Sequence, residues 1–241
     1  MKRFNFASII GGVIVFTITA VNAGYVSGEN IGPRFKDQDK LVYEVNFNGI
    51  PSGHIEWEYL GQEDINGVTA DILLLNSDTK ILKLLSLAGK EKVFLDSRTG
   101  LPLRVERDIV FFGRKERISE TYNQDVGYIR INKSNSQNRE RVIYQDKPIH
   151  NILELLYFFP QDLALTPGKW MSFNLPTQKI KIKMVRERVL KADGKNRDTY
   201  FLVGKGARRF NLWLDKAKKI PLRLEFISLA GKVTILRSGE L

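Results

Sequence analysis

The chain has no cysteine among its 241 residues. That absence excludes disulfides, thiolate-built zinc sites, iron–sulfur clusters and a cysteine nucleophile. Stability must come from an ordinary apolar core, which a chain of this length can bury. Histidine is nearly as scarce, with His54 and His150 the two in the sequence. Zinc sites usually take three or four protein ligands, so each is expected to be an exposed or capping residue. Catalytic motifs are missing as well. There is no Gly-x-Ser-x-Gly elbow, no His-Glu-x-x-His helix and no Gly-rich phosphate loop. Glu56 and Glu58 are paired carboxylates of the kind that work on glycans, but strand alternation puts them on one solvated face. The expectation is a protein that is not an enzyme and uses no cofactor and no metal.

Long apolar runs are also rare. The one that exists, Ala7 to Val21, follows Lys2 and Arg3 and ends at Val21-Asn22-Ala23, small residues where a signal peptidase reads. At about fifteen residues it falls short of the roughly 20 that span a bilayer as a permanent helix. Residues 1–23 therefore read as a signal peptide cleaved after Ala23, in preference to an uncleaved anchor. No cysteine follows that site, so lipid attachment there is excluded. The mature chain, 24–241, is expected in the periplasm, where ATP and NAD are not routine cofactors.

Acidic residues run short in the second part of the chain. From Gly24 to Gly168 there are 18 Lys and Arg against 21 Asp and Glu; from Lys169 to Leu241 there are 18 against 6. A basic half outside the cytoplasm points to anionic envelope material, so the candidate partners are anionic lipid, lipopolysaccharide or acidic glycan. An envelope protein is the other candidate, and export argues against nucleic acid. The protein is expected to be peripheral rather than integral at the membrane. The competing reading is a basic face that is only solvated.

What the chain does have is two-residue alternation. Leu41, Tyr43, Val45 and Phe47 share one strand face, and Ile55, Trp57 and Tyr59 share another, with a turn-rich link from Asn48 to Gly53 between them. Lys179-Ile180-Lys181-Ile182-Lys183-Met184 is the purest case, with three lysines on one face and three apolar residues on the other. Phe210, Leu212 and Leu214, then Leu222, Leu224 and Phe226, continue the pattern. Single-faced alternation predicts a mainly β fold, an antiparallel sheet curled into a partial or closed barrel.

Two segments depart from it and predict one or two short apolar helices. Lys80 to Ala88 is rich in helix formers, apolar on nearly every side. Asn151 to Phe159 opens with a capping box of Asn151 and Glu154, and Pro160 is expected to end it. An internal repeat relates Leu95-Asp96 through Leu101-Pro102-Leu103-Arg104-Val105-Glu106 to Leu214-Asp215 through Ile220-Pro221-Leu222-Arg223-Leu224-Glu225. Each copy reads as strand, Asp-led turn, strand, with Arg and Glu two apart as a surface ion pair. The expectation is a single β domain over 24–241 made of two related meander halves.

The sequence resembles the exported bacterial family catalogued as domain of unknown function 3108. The likeness lies in Tyr43 to Gly53 as an opening hairpin, Asn151 to Phe159 as a mid-chain apolar helix, and Trp213-Leu214-Asp215 through Ile220 to Arg223 as a closing hairpin. It implies an antiparallel, partly closed β barrel in the envelope of a Gram-negative organism, and no reaction. The mid-chain helix departs from the pattern in lacking a basic residue near its end, where Phe158-Phe159-Pro160 stands.

These readings predict a non-enzymatic binding protein for an amphiphilic, lipid-like anionic ligand. Ile81, Leu84, Leu85, Leu155, Tyr157 and Phe158 would face a shared apolar site, and Lys179, Lys181 and Lys183 would attract the anionic end. The alternative is an envelope assembly or scaffold protein that docks a protein partner without a small ligand.

Overall fold

The computed structural model describes residues 40–81, 85–111, 113–134, 138–157, 165–228 and 231–238. The signal segment, 1–23, lies outside the described residues. In chain order the elements are β1 (Lys40–Phe47), β2 (Ile50–Ile65), β3 (Val68–Ile81), β4 (Leu85–Asp96), β5 (Pro102–Phe111), β6 (Arg114–Asn123), β7 (Tyr128–Ser134) and β8 (Arg139–Tyr144). The helix α1 (Ile152–Tyr157) follows, then β9 (Trp170–Leu175), β10 (Gln178–Ala192), β11 (Lys195–Lys205), β12 (Arg209–Asp215), β13 (Pro221–Ser228) and β14 (Gly231–Arg237). No helix among the described residues is long and apolar enough to cross a membrane.

The fourteen strands among the described residues form one antiparallel sheet in the order β8-β7-β6-β5-β4-β3-β2-β1-β14-β13-β12-β11-β10-β9. The first and last strands pair at its centre, and the two edges, β8 and β9, belong to the middle of the chain. Among the described residues no β8–β9 ladder closes the sheet. Instead the segment after β8 bonds to both sides of the gap. Gln145 Nε2 donates to Leu175 O (3.0 Å), Asn174 Nδ2 donates to Asp146 O (2.9 Å), and His150 N donates to Asn174 O (2.7 Å). Gln124, from the β6–β7 turn, accepts from Ile149 N (3.1 Å) and donates to Ile149 O (2.8 Å).

The alternation seen in the sequence decides which face is inside. Leu41, Tyr43, Val45 and Phe47 are buried, as are Ile180, Ile182 and Met184, and Phe210, Leu212 and Leu214. They belong to one continuous core that also takes in Leu153 and Leu155 of α1, apart from Met184, which is buried beside it. β1 and β2 meet at a tight turn on Asn48 and Gly49, both at positive φ. The link expected to run to Gly53 is thus shorter, and Ser52 is the extra residue of a bulge between paired Asn46–Pro51 and Val45–Gly53.

The expected cap of α1 is present. Asn151 Oδ1 accepts from Leu153 N (2.7 Å), and Glu154 Oε2 accepts from Asn151 N (3.0 Å). Its expected stop, Pro160, lies outside the described residues. The helix expected over Lys80 to Ala88 is corrected: Lys80 and Ile81 end β3, and Leu85 to Ala88 begin β4. The pairing is continuous from Ala70–Asp96 to Ile81–Leu85. Leucine and lysine favour helix only by tenths of a kcal/mol per residue, and a ladder of this length overrides that preference.

The two repeated hairpins have the same bonding. Asp96 Oδ1 accepts from Arg98 N (2.8 Å) and Thr99 N (3.3 Å); Asp215 Oδ1 accepts from Ala217 N (2.8 Å) and Lys218 N (2.8 Å). Each hairpin carries a bulge opposite the residues before its Asp, Phe94/Leu95 and Trp213/Leu214, with Leu103 and Leu222 as the extra residues. Gly100 (φ 68°) and Lys219 (φ 55°) fill the same left-handed position. Gly100→Ala is therefore expected to cost roughly 1 kcal/mol, the side-chain penalty of that conformation, which the second copy already bears. A thermal melt checks it; an unchanged midpoint would mean the turn relaxes.

Candidate functional site

Two groups of polar residues stand apart from the apolar framework, one inside the sheet and one outside. The inner group follows from strand parity. Glu91 lies two residues before buried Val93, Arg107 two after buried Val105, and Glu120 between buried Ile118 and Tyr122. All three therefore point into the core. Arg107 Nε stands 3.0 Å from Glu91 Oε2, angled away from a straight hydrogen bond, and its Nη1 donates to Glu120 Oε1. Tyr122 donates to Glu120 Oε2 (2.6 Å). Burial works against the Arg107 charge, but Glu91 and Glu120 outweigh it and push its pKa up. Burial and the Glu120 charge likewise raise Tyr122, while Arg107 and a side-chain hydrogen bond with Asn151 oppose the rise. Through Asn151 the chain of contacts reaches the N-terminus of α1. It joins three strands of the wall to the helix inside.

His150 sits beside that cap, its Nδ1 3.1 Å from Glu154, with its ring edge-on to Phe173. His54 is exposed. Glu56 is tied to Lys40 at 3.0 Å. Among the described residues no cluster of His, Asp and Glu is arranged to hold a metal ion. A crevice beside α1, lined by Trp57, Leu73, Leu75 and Leu153, has a volume of about 10 Å³, enough for one water molecule.

The outer group covers β9 to β14. Lys181 is paired directly opposite Lys205, and Lys205 opposite Arg209. Beyond the Phe210–Phe226 pair, Ile227 stands opposite Lys232. These residues alternate with buried Ile180, Ile182, Leu202, Phe210 and Phe226, so they share the outer face. Trp170 lies on the next row, with Lys183 Nζ 4.9 Å and Lys205 Nζ 4.8 Å from its ring centroid. Further along the face, Phe201 and Trp213 pack at 4.8 Å, with Arg188 over the first and Arg223 over the second. Glu225 lies within this patch, held by Arg223 and by Lys232 at 3.0 Å. Burial raises its pKa, but those two cations more than offset that and lower it. Lys181, Lys183, Lys205 and Arg209 have no acidic partner among the described residues.

The structure brings together only part of the expected ligand site. Leu155 is 1 % exposed and packed in the core. Ile81 closes β3, Leu85 opens β4 and Tyr157 ends α1, with side chains outside the described residues; Leu84 and Phe158 lie outside them altogether. Lys181 and Lys183 stand on the outer face as expected. Lys179 is on the same strand, but its side chain is only 7 % exposed and its Nζ lies 3.5 Å from Asp146. It is spent on the gap between β8 and β9. Sequence reading missed Trp170, Lys205, Arg209, Ile227 and Lys232. Parity marks each of them as outward, but their assembly into a row depends on register.

Among solved structures the fold is similar to a β-barrel-like protein of domain of unknown function 1849 from Brucella abortus. The two are 9% identical, with a TM-score of 0.56 over 84% of this chain and 96% of that one. A Parabacteroides distasonis chain provisionally described as a lipoprotein is 8% identical over 88% of this chain and 98% of its own, at a TM-score of 0.31. A Bacteroides fragilis chain provisionally described as an exported protein with YmcC-like fold is 8% identical over 88% and 99%, also at 0.31. At these identities the likeness is one of fold, and at 0.31 it says nothing further. No family model and no curated protein matches the chain. The architecture is thus a barrel-like antiparallel sheet shared with a family of unknown function, and the likeness to family 3108 rests on its three motifs alone.

Proposed function

We propose that this is a non-enzymatic binding protein of the periplasm that takes an anionic amphiphile through its outer basic face. The observation that carries this reading is the set of lysines and arginines on β10 to β12 that face solvent without acidic partners, interleaved with aromatic rings. The signal-like residues 1–23 and the resemblance to exported family 3108 support the compartment. Aromatic rings beside cations suit a ligand with both an apolar and an anionic part, since indole and guanidinium or ammonium groups serve both. A purely solvated face would not need Trp170 held between two lysines.

The test is native mass spectrometry of protein purified gently from the envelope fraction. Wild type is expected to carry anionic lipid. Lys181→Gln/Lys183→Gln is expected to retain roughly 25-fold less, since each cation near an anionic headgroup layer is worth about 1 kcal/mol. Lys179→Gln should leave retention unchanged. Wild type free of lipid would overturn the reading and favour a scaffold that docks a protein partner.

A further inference from the structure

The row Lys181–Lys205–Arg209–Ile227–Lys232 has a cost that the fold itself does not repay. In an antiparallel ladder, side chains directly opposite one another are the closest cross-strand neighbours, and like charges there destabilise the pair. Lys181 opposite Lys205 and Lys205 opposite Arg209 are two such pairs in succession. Salt bridges elsewhere on the molecule show the usual solution, as where Lys216 meets Glu187 at 2.7 Å or Lys133 meets Glu116 at 3.0 Å. From Lys181 to Arg209 no acid intervenes among the described residues; Lys232, at the far end of the row, is paired with Glu225 at 3.0 Å. At about 4.8 Å per strand, the five strands from β10 to β14 set four cations along roughly 20 Å. Between Arg209 and Lys232 stands Ile227, which is 72 % exposed.

From this juxtaposition we infer that the row is a docking surface for the phosphate layer of an anionic bilayer, with Ile227 entering the interface between headgroups. This rests on the proposed affinity of the outer face for anionic amphiphiles and deepens it, from a bound molecule to a membrane surface. Charge complementarity selects the partner: closely spaced phosphates relieve each like-charge pair. Ile227 decides between anionic partners, because a large apolar side chain among cations gains from entering a headgroup–acyl boundary and gains nothing from a wholly polar polyanion.

The test is flotation of the full mature chain with vesicles of phosphatidylglycerol and phosphatidylcholine, with thermal melts alongside. Wild type should float with the anionic vesicles and not with phosphatidylcholine alone. Lys205→Gln/Arg209→Gln should lower partitioning about 25-fold at low salt, the loss shrinking as salt screens the surface. Its melting temperature should stay level or rise, because repulsion is relieved. Ile227→Ser should lower partitioning about tenfold even at high salt, where apolar insertion is the term that remains. Wild type that ignores anionic vesicles would sink the functional reading itself. Wild type that floats beside an equally buoyant double variant would overturn the row alone. Loss of binding in the double variant with none in Ile227→Ser would overturn the insertion of Ile227 and leave a purely electrostatic contact with the phosphate layer.

Discussion

Arg107→Met is expected to destabilise the protein by about 3–5 kcal/mol, the cost of leaving buried carboxylates without their counter-charge. Glu91 is 3 % exposed and Glu120 nearly as enclosed. Neither has water to turn to once the guanidinium is gone. The size of the loss comes from what is left behind more than from what is removed. Replacing all three, as Arg107→Met/Glu91→Gln/Glu120→Gln, should therefore recover much of the stability, because neutral groups of similar shape do not pay the same desolvation cost. Thermal or urea unfolding of the single and triple variants measures both. A single variant within about 1 kcal/mol of wild type would mean that the network is hydrated and not closed.

Gly53→Ala is the second large effect. Gly53 has φ 153° and is paired with Thr79 of β3. A Cβ there would stand 2.1 Å from Asp78 O and 2.6 Å from the Thr79 Cα. Both are backbone atoms, so no side-chain rotation relieves the clash and the ladder itself must part. The expected cost is at least about 2–3 kcal/mol, at the upper range for overpacking. Unfolding by urea checks it, and a midpoint shift smaller than that of Gly100→Ala would show that the β2 bulge absorbs the methyl group.

Much of this fold could be read from residue types, and the reasons differ by element. β1 and β10 were legible because alternation is a property of one strand, and one face of each is buried. The cap of α1 was legible because Asn151 and Glu154 act within one turn. Lys80 to Ala88 was misread because its leucines and lysines carry a helical preference, while its two arms pair with each other, Ile81 with Leu85 and Lys80 with Ser86, at the end of the long β3–β4 ladder. The inner network was partly visible, since Arg107, Glu91 and Glu120 occupy inward positions by simple parity. Charged residues at such positions are easily taken for the frayed end of an apolar face. The outer row was not visible at all. Lys181, Lys205, Arg209, Ile227 and Lys232 come from five strands, and only the register sets them side by side.

The pairing of β1 with β14 has a consequence for how the molecule forms. Val42 accepts hydrogen bonds from Ser238, 196 residues away in sequence. The strands that meet at the middle of the sheet thus come from opposite ends of the described residues. Until β1 and β14 meet, each half is a meander with an unprotected edge, and such non-local pairings are formed slowly. The β1–β14 ladder acts as the fastener of the whole sheet, joining two meanders whose own hairpins are local.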